Sequence, residues 1–471
     1  MSALEPATTD NDSLPASRPS DVPNKPRSSW KDRRILAGAF LLQFCAVGLI
    51  QSFGVFQDFY ATTWLSHSTA SDISWIGSVG LFLELSLGLV SGKLYDAGYF
   101  RSTVVAGCVL FTFSFFMLSL TKENHYYQVF LSQGLGMGLG LSLIFTPTSS
   151  LVGDLYPVKT GLAMGLVLSS APLGATIFPI ILNNLIHNAV GFAWAVRICA
   201  FITLGCFTLG CILILTSLDS KVSRKREPSA STGSLRSAKN APYLLIVLSG
   251  FVVSLGTWFP SFYVQLFADS HGISSGLSFY AVTILSVSCA AGRIIPSHIA
   301  DTYGAVNMYP YCVALNGMLG FAMLGCGNPA GLVLFCIFYG FFFGSTISMF
   351  FPVVVTLTPK ELNMGVSVGL ALTPVGIATL IGSPISGLIL GHEQKWWRGV
   401  TFSSVYLLST QFKLVANTDI LAIFQVCLLG AAALNLAARQ LYVKSLRSRQ
   451  TPEEPPSNLG EKVDKENCKA V

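Results

Sequence analysis

Three charged side chains lie inside long hydrophobic runs of this sequence: Arg293, Glu84 and Arg197. A charge held at the centre of a bilayer costs at least about 2.5–3.5 kcal/mol, so such a side chain should face a cavity or a partner. The guanidinium of Arg293 is a planar fork of donors that matches a carboxylate or a phosphate. We therefore predict that Arg293 binds an anionic group of a ligand. The alternative is that it extends to the membrane boundary or pairs with Asp301.

Glu84 lies at the middle of its hydrophobic run and can serve several purposes there. A carboxyl group in this setting can bind a proton, pair with a cationic group of a ligand, or bridge to another helix. A neutral carboxyl group without a role is the alternative. Arg197 lies only a few residues from the end of its run, so its long side chain can reach the membrane boundary, and we predict a structural role for it.

Asp96 and Asp301 occupy equivalent short polar loops, 205 residues apart (301 − 96). Each carboxylate suits the positive end of the following helix, or an Arg of a neighbouring helix. Such contacts would hold one side of the protein closed and would break when that side opens. Because both halves carry the same residue, we predict a gating role for Asp96, Asp301 and the basic Arg101. The alternative is that each Asp is a plain helix cap.

Other motifs recur at a similar spacing and indicate an internal repeat. They are Pro147 and Pro352, Pro172-Leu173-Gly174 and Pro374-Val375-Gly376, and Met164-Gly165 and Met364-Gly365. Two parallel repeats of six helices are a known plan of transporters, with the substrate held between the halves. Prolines inside helices also leave carbonyl groups without hydrogen-bond partners and bend the helix.

Composition explains why hydrophobic runs dominate the chain. Hydrophobic residues make up 52% and charged residues only 11% of the 471 residues, whereas an ordinary soluble domain carries about 25% charged residues. Twelve runs reach the length of about 20 residues that a helix needs to cross a bilayer. Backbone groups in lipid must pair within their own segment. The sequence therefore predicts an all-α integral membrane protein with twelve transmembrane helices in two pseudo-symmetric six-helix bundles.

The repeat and the runs divide the chain into five parts. We predict a disordered cytoplasmic N-terminal tail (1–34), an N-terminal six-helix bundle (35–216), a cytoplasmic linker (217–242), a C-terminal six-helix bundle (243–442) and a cytoplasmic C-terminal tail (443–471). The stretch 391–419 is unusually long for a loop on the outer side. It is either an outer lid or a wrongly retained coding segment.

Lys and Arg residues near the helix ends give the orientation. With both termini in the cytoplasm, the outer side carries only Lys122, Lys395, Arg398 and Lys413. This asymmetry follows the positive-inside rule and accounts for the net charge of +6 without a nucleic-acid partner. We expect a multi-pass protein of the plasma membrane. The eleven Cys lack the spacing of a metal site, and we expect no metal, no cofactor and no catalytic site, hence no enzyme.

Short motifs in the sequence resemble those of a known family. Gly92-Lys-Leu-Tyr-Asp96-Ala-Gly-Tyr-Phe-Arg101 resembles the signature between the second and third helices of the major facilitator superfamily, with Ala97 in place of the usual Arg. Other motifs resemble the monocarboxylate porter group and its fungal members: Leu162-Ala-Met-Gly165 with Ser170 and Gly174, Ser52-Phe-Gly-Val-Phe56, and Trp75-Ile-Gly-Ser78.

The resemblance implies roles for individual residues. Arg293 corresponds to the helix-eight Arg that binds the substrate carboxylate in the monocarboxylate porters of animals. The acidic residue one turn earlier is Cys289 here, and the helix-one Lys is Gln51. This sequence therefore lacks the two groups on which a proton–lactate symport mechanism relies. Gln51 can still hydrogen-bond a polar ligand, and Glu84 is a candidate for the missing protonatable site.

We predict a secondary active transporter that works by alternating access and moves a small organic anion, such as a monocarboxylate or an acidic metabolite. The predicted substrate-binding residues are Arg293, Gln51 and Glu84, and the predicted gating residues are Asp96, Arg101 and Asp301. The alternatives are an efflux pump for a secondary metabolite or drug-like compound, and a non-transporting membrane sensor of the same fold. The expected partners are a small-molecule substrate and the lipid bilayer, with the protein acting as a monomer and proton coupling left open.

Overall fold

The computed structural model describes residues 30–156, 159–187, 191–218, 241–359, 362–390 and 396–404. All regular structure within these ranges is helical, in agreement with the sequence-based prediction. The predicted twelfth hydrophobic run, the predicted C-terminal tail and most of the predicted linker lie outside the described residues. The same holds for the first 29 residues of the predicted N-terminal tail.

The helices up to Ser217 are called the N-half here. They are α1 (Trp30–Gln51), α2 (Phe53–Phe59), α3 (Ala70–Ser86), α4 (Gly88–Asp96), α5 (Phe100–Leu118), α6 (Tyr126–Val129), α7 (Met137–Leu155), α8 (Thr160–His187) and α9 (Gly191–Ser217). A π-helical turn follows α2 at Tyr60–Trp64, and another follows α6 at Phe130–Gly136.

The helices from Ala241 onward are called the C-half. They are α10 (Ala241–Thr257), α11 (Phe259–Ser270), α12 (Ser275–Tyr303), α13 (Ala305–Ala322), α14 (Pro329–Leu357), α15 (Met364–Leu390) and α16 (Trp396–Ser404). A short 3-10 turn at Met323–Gly325 extends α13.

Ten helical segments within the described ranges are long and apolar enough to cross a membrane. The predicted ninth run coincides with α13, which is less apolar because it contains Asn307, Pro310 and Asn316. Apolar side chains such as Phe201 and Leu209 project from the bundle and are exposed. Such a surface is compatible with lipid rather than water.

The first helix begins earlier than the sequence-based boundary at residue 35. It starts at Trp30, and its first turns carry Lys31, Arg33 and Arg34. The Arg34 guanidinium lies 4.9 Å from the centre of the Trp30 ring and donates a hydrogen bond of 3.1 Å to Thr216 Oγ1 in α9. A polar helical turn therefore continues beyond the apolar run because its side chains find partners at the end of the bundle.

Three of the predicted runs are bent rather than straight. The break between α1 and α2 falls at Ser52, that between α3 and α4 at Leu87, and that between α10 and α11 at Trp258. Ser52 Oγ donates to the Gly48 carbonyl at 2.6 Å, which satisfies an acceptor at the first of these breaks. The breaks lie at the depth of Gln51, Glu84 and Trp258, which line the same cavity.

The two halves meet along two equivalent seams. In one, α8 packs against α12, and a Cβ on Gly165 would overlap the Arg293 carbonyl. In the other, α15 packs against α4, and a Cβ on Gly369 would overlap the Gly88 carbonyl. The spacing is 205 between positions 88 and 293 (293 − 88) and 204 between 165 and 369 (369 − 165). The contacts therefore obey the repeat that the sequence shows.

Only part of the unusual stretch 391–419 is described, namely α16. Val400 and Phe402 of this helix are buried, and the Trp396 ring packs edge-on against Phe267 of α11 at 5.1 Å. A Cβ on Gly320 at the end of α13 would overlap Ser404 Oγ. This short helix is therefore packed into the C-half and does not line the cavity, so the described part of the stretch does not form a lid.

Candidate functional site

A cavity lies between the two halves, and its empty space together with its opening to solvent amounts to about 830 Å³. Its wall is mostly apolar and aromatic, and its polar members are few. The lining side chains come from α1, α3, α7 and α8 of the N-half and from α10, α12, α13, α14 and α15 of the C-half. A cavity of this character suits a small organic molecule, with the few polar groups fixing its orientation.

Three residues that the sequence predicts as ligand-binding residues line this one cavity: Arg293, Gln51 and Glu84. Arg293 is 3% exposed and Glu84 is 4% exposed. Gln51 is the last residue of α1, where the helix breaks. The structure thus brings together side chains from three helices, α1, α3 and α12, although they are far apart in sequence.

Arg293 is fixed by hydrogen bonds on both sides of its helix. Its Nη1 donates to the backbone carbonyl of Leu168 in α8 at 2.6 Å. Ser348 Oγ of α14 donates to the Arg293 carbonyl at 3.0 Å. Its Nε is buried without a hydrogen-bond partner. The guanidinium is therefore held in place and keeps donor capacity for a ligand.

The charge of Arg293 has one candidate counter-ion in the cavity wall, Glu84. The structure records no hydrogen bond or ion pair between these two side chains, which are both described. Cys289, one turn before Arg293, is buried beside it. A thiol does not neutralise a guanidinium as a carboxylate would, so the cavity retains a cationic group that favours an anionic ligand.

Asp96 and Asp301 join the two halves. The Asp96 carboxylate accepts hydrogen bonds from the backbone N–H groups of Gly365 at 3.1 Å and Val366 at 2.8 Å, at the start of α15. The Asp301 carboxylate accepts from those of Gly161 at 2.7 Å and Leu162 at 2.9 Å, at the start of α8. Each carboxylate thus meets unpaired donors and the positive end of a helix dipole.

These four hydrogen bonds are called the latch here, and the end of the bundle that carries Asp96 and Asp301 is called the latch end. The sequence predicts a cap on the following helix or a pair with an Arg. The structure shows each Asp capping a helix of the opposite half. The caps cross between halves because α4 packs on α15 and α12 packs on α8 in the two seams.

Arg101, the third predicted gating residue, makes a different contact. Its Nη2 donates to the Leu218 carbonyl, at the end of α9, at 3.3 Å. Both residues belong to the N-half, so this hydrogen bond does not join the halves. Arg197 also has local partners, since its Nε donates to Ser119 Oγ at 3.2 Å and its guanidinium lies 5.1 Å from the centre of the Trp194 ring.

A further contact between the halves has no counterpart in the sequence-based analysis. Thr373 Oγ1 of α15 lies 3.2 Å from the Ser86 carbonyl of α3 and 2.9 Å from the Gly369 carbonyl of its own helix, and these two acceptors share its hydroxyl proton. Leu87 follows at the break between α3 and α4, where the helical hydrogen-bond pattern is interrupted. A lone Thr inside an apolar run carries no sequence signal for such a role, although its position just before Pro374 marks an irregular turn.

A glycine substitution tests whether the latch must close tightly. A Cβ on Gly365 would overlap the Gly92 carbonyl and lie 2.9 Å from both carboxylate oxygens of Asp96. We expect Gly365→Ala to reduce the initial rate of transport by about tenfold or more, because the two helices cannot approach closely enough to form the Asp96 contacts. Gly205→Ala is the matched control, since a Cβ there meets nothing within 4 Å. Equal rates for Gly365→Ala and the unaltered protein would contradict the expectation.

Comparison with known proteins agrees with this architecture. The model of the Major Facilitator Superfamily matches residues 35–383. The aspyridones efflux protein apdF of Emericella nidulans is 35% identical over 376 residues, which cover 79% of this chain and 75% of the relative. The agnestins efflux protein AgnL12 of Paecilomyces divaricatus is 34% identical over 413 residues, which cover 87% and 93%.

Solved structures show the same fold at low sequence identity. The transporter FucP in its outward conformation has a TM-score of 0.62 and 15% identity, covering 86% of this chain and 98% of that chain. A bacterial homologue of the iron transporter ferroportin in its outward-facing state has a TM-score of 0.64 and 14% identity, covering 87% and 99%. At these identities the likeness concerns the fold alone.

The fold and the cavity between its halves define a multi-pass integral membrane transporter of small molecules. The chain belongs to the Major Facilitator Superfamily. The predicted all-α fold and the predicted superfamily are thereby confirmed. The finer resemblance to monocarboxylate porters is not shown specifically, because the similar relatives are named as efflux proteins and as transporters of the superfamily.

Proposed function

We propose that this protein exports an acidic secondary metabolite by alternating access. The observation that carries the proposal is the buried guanidinium of Arg293 in an apolar and aromatic cavity between the two halves. The names of the relatives support the direction, since apdF and AgnL12 are efflux proteins for aspyridones and agnestins. The prediction of an efflux pump, kept as an alternative at the sequence level, is thus favoured over uptake of a small monocarboxylate.

The lining of the cavity supports a ligand that carries more apolar and aromatic surface than a short monocarboxylate. Trp258, Phe350, Phe351 and Tyr309 contribute aromatic surface to the wall. Burial of aromatic and apolar ligand surface against such side chains supplies binding free energy of about 25 cal/mol per Å². A three-carbon acid would use Arg293 but has little apolar surface of its own to place against these side chains.

The latch supports a transport cycle in which the two ends of the cavity open in turn. In this structure the hydrogen bonds of Asp96, Asp301, Arg293 and Thr373 join the described parts of the two halves, from the depth of the cavity to the latch end. We propose that the latch end faces the cytoplasm, that the membrane is the plasma membrane, and that a monomer suffices, because the described residues of one chain line the cavity from both halves. Opening of the latch would then admit the metabolite from the cytoplasm.

The proposal is tested by counterflow in proteoliposomes that contain the purified full-length protein. The probes are a bulky aromatic carboxylic acid, its uncharged methyl ester, and lactate as a short monocarboxylate. We expect counterflow of the bulky acid at a rate at least about tenfold above that of the ester or lactate, because only the acid satisfies both Arg293 and the aromatic wall. Counterflow of lactate alone would instead support the second candidate, a carrier of small monocarboxylates.

Glu84 is proposed to carry the proton that couples export to the proton gradient. It is the only carboxylate among the described residues that line the cavity. We expect Glu84→Gln to make the transport rate vary by less than about twofold over three pH units, because the variant lacks a titrating group. The unaltered protein should export faster when the outside is made more acidic. Glu123→Gln, at an exposed position, is the control. An unchanged pH profile in Glu84→Gln would exclude Glu84 as the proton carrier.

A further inference from the structure

The Arg293 guanidinium donates a hydrogen bond to a backbone carbonyl that lacks its usual helical N–H partner because of a proline. Pro172 lies inside α8, and proline has no N–H to donate to the carbonyl four residues earlier, which is that of Leu168. This carbonyl instead accepts the 2.6 Å hydrogen bond from Nη1 of Arg293. Because buried carbonyl groups almost always have a partner, Pro172 creates the acceptor that holds the guanidinium.

The backbone of α12 is fixed at the same level, so the contact is well defined. A Cβ on Gly165 would overlap the Arg293 carbonyl, which shows how closely α8 and α12 approach one turn before Leu168. On the opposite side of α12, Ser345 Oγ lies 3.0 Å from the Gly292 carbonyl and 2.8 Å from the Phe341 carbonyl of its own helix, so these two acceptors share its one hydroxyl proton. Pro296 frees the Gly292 carbonyl in the same way. The close packing of α8 and α12 therefore fixes both the backbone of Arg293 and the Leu168 carbonyl that accepts its hydrogen bond.

One edge of the guanidinium remains for a ligand. With Nη1 bound to Leu168, the donors left side by side are Nε–H and one N–H of Nη2. Nε is buried without a partner, and Arg293 lines the cavity. Two parallel N–H groups on one edge match two oxygens of a planar acidic group, whereas a single oxygen can use them only in part.

We propose that the Leu168 carbonyl, freed by Pro172, positions Arg293 so that its Nε–Nη2 edge binds the substrate. The site then selects a planar acidic group with two oxygens, which is a carboxylate or the enolate of a 1,3-dicarbonyl, over an acid with one oxygen, such as a phenol. This inference rests on the proposed function, since it names the acidic group of the exported metabolite. Leu168 and Pro172 are positioning residues, because they act on the substrate through Arg293.

The second half of the protein supplies a matched control. Pro374 lies inside α15 and frees the Leu370 carbonyl in the same manner. At the spacing of 205 residues (293 − 88), the counterpart of Arg293 is Gly88, which has no side chain. Pro374→Ala therefore changes a proline in the equivalent helix without touching the guanidinium.

The test measures binding of two ligands that share one fluorinated aromatic ring, a carboxylic acid and a phenol that the fluorines make acidic enough to be an anion at neutral pH, to the purified full-length protein by calorimetry. We expect the unaltered protein to prefer the carboxylate by about 30-fold, the value of a second charge-assisted hydrogen bond. In Pro172→Ala, the new N–H competes for the Leu168 carbonyl, so the preference should fall below about threefold while binding of the phenol is unchanged. Pro374→Ala should retain the full preference.

A double-mutant cycle separates positioning from a general loss of structure. In Arg293→Lys the ammonium cannot offer the two-donor edge, so adding Pro172→Ala should alter the carboxylate-to-phenol ratio by less than about twofold. The positioning role would be overturned if Pro172→Ala kept the full carboxylate preference, or if it lost affinity for both ligands equally. In either case, carboxylate binding by the unaltered protein would still support the proposed function. If the unaltered protein bound neither ligand, the proposed function itself would fail.

Discussion

Replacing Arg293 with methionine is expected to weaken binding of an aromatic carboxylic acid by about 100-fold. Among the described residues that line the cavity, Arg293 is the cationic one. Truncating one partner of a desolvated, hydrogen-bonded charge pair costs about 2–5 kcal/mol. Methionine keeps much of the apolar length of the side chain, so the loss should come from the guanidinium. Titration calorimetry of the purified protein measures the effect.

Two controls accompany the Arg293→Met experiment. The methyl ester of the same acid should bind the variant and the unaltered protein within about threefold of each other, because it carries no charge for the guanidinium. Arg197→Met should leave binding of the acid unchanged, since Arg197 lies with Ser119 and Trp194 and does not line the cavity. Equal affinity of Arg293→Met and the unaltered protein for the acid would show that Arg293 does not bind the anionic group of the ligand.

Replacing both latch carboxylates with amides is expected to open the latch end. In Asp96→Asn and Asp301→Asn, the amide can accept one backbone N–H but turns its own NH₂ toward the other, and the interaction with the helix dipole is lost. We expect a cost of about 2 kcal/mol for each carboxylate. The double variant should therefore shift the equilibrium between closed and open latch by about 1,000-fold.

Labelling of a buried position in the seam reports this shift. Ser297 is buried where α12 faces Gly161 and Gly165 of α8, and Ser297→Cys is close to isosteric. In the double Asn variant, a water-soluble maleimide should modify this cysteine about 100-fold faster or more, because parting of α8 and α12 exposes it. Asp58→Asn, at an exposed position of α2, should leave the rate unchanged. Slow labelling in the double variant would show that the latch does not hold the halves together.

Sequence reasoning located the latch carboxylates because their spacing and loop context repeat. It could not say which helix each would cap, since that depends on packing between halves rather than on local sequence. The sequence-based pairing of Met164-Gly165 with Met364-Gly365 is also wrong by one helical turn. Asp96 contacts Gly365 and Asp301 contacts Gly161, so the counterpart of Gly365 is Gly161. The close glycine contacts in both seams show which residues of the two halves correspond. Motifs of small residues are too frequent in this sequence to identify that correspondence.

The cavity residues illustrate a second limit of prediction from sequence. A buried charge is conspicuous in sequence because its cost in lipid is high, and both Arg293 and Glu84 were found in this way. The Leu168 carbonyl is invisible at that level, because a backbone group carries no residue identity. Pro172 was the available signal, since a proline inside a helix predicts a free carbonyl four residues earlier. Which donor would reach this carbonyl required the packing of α8 on α12.

The repeat also shows how one scaffold becomes asymmetric. At the spacing of 205 residues, Glu84 corresponds to Cys289 (289 − 84) and Arg293 corresponds to Gly88 (293 − 88). Among the described lining residues, each half thus contributes one ionisable side chain of this kind, on equivalent helices but one turn apart. If Arg293 binds the anionic substrate and Glu84 the proton, as proposed, the two binding events influence each other through the charges in this one cavity.

Distances between spin labels at the two ends of the bundle test alternating access directly. Labels replace the exposed Tyr99 and Tyr303 at the latch end, and Thr62 and Ser270 at the opposite end, in a protein whose native cysteines have been substituted with transport retained. When the labelled protein binds the aromatic acid, the account predicts that part of the population gains a longer distance at the latch end and a shorter one at the opposite end. Distances that stay the same at both ends, under conditions in which the acid is transported, would contradict it.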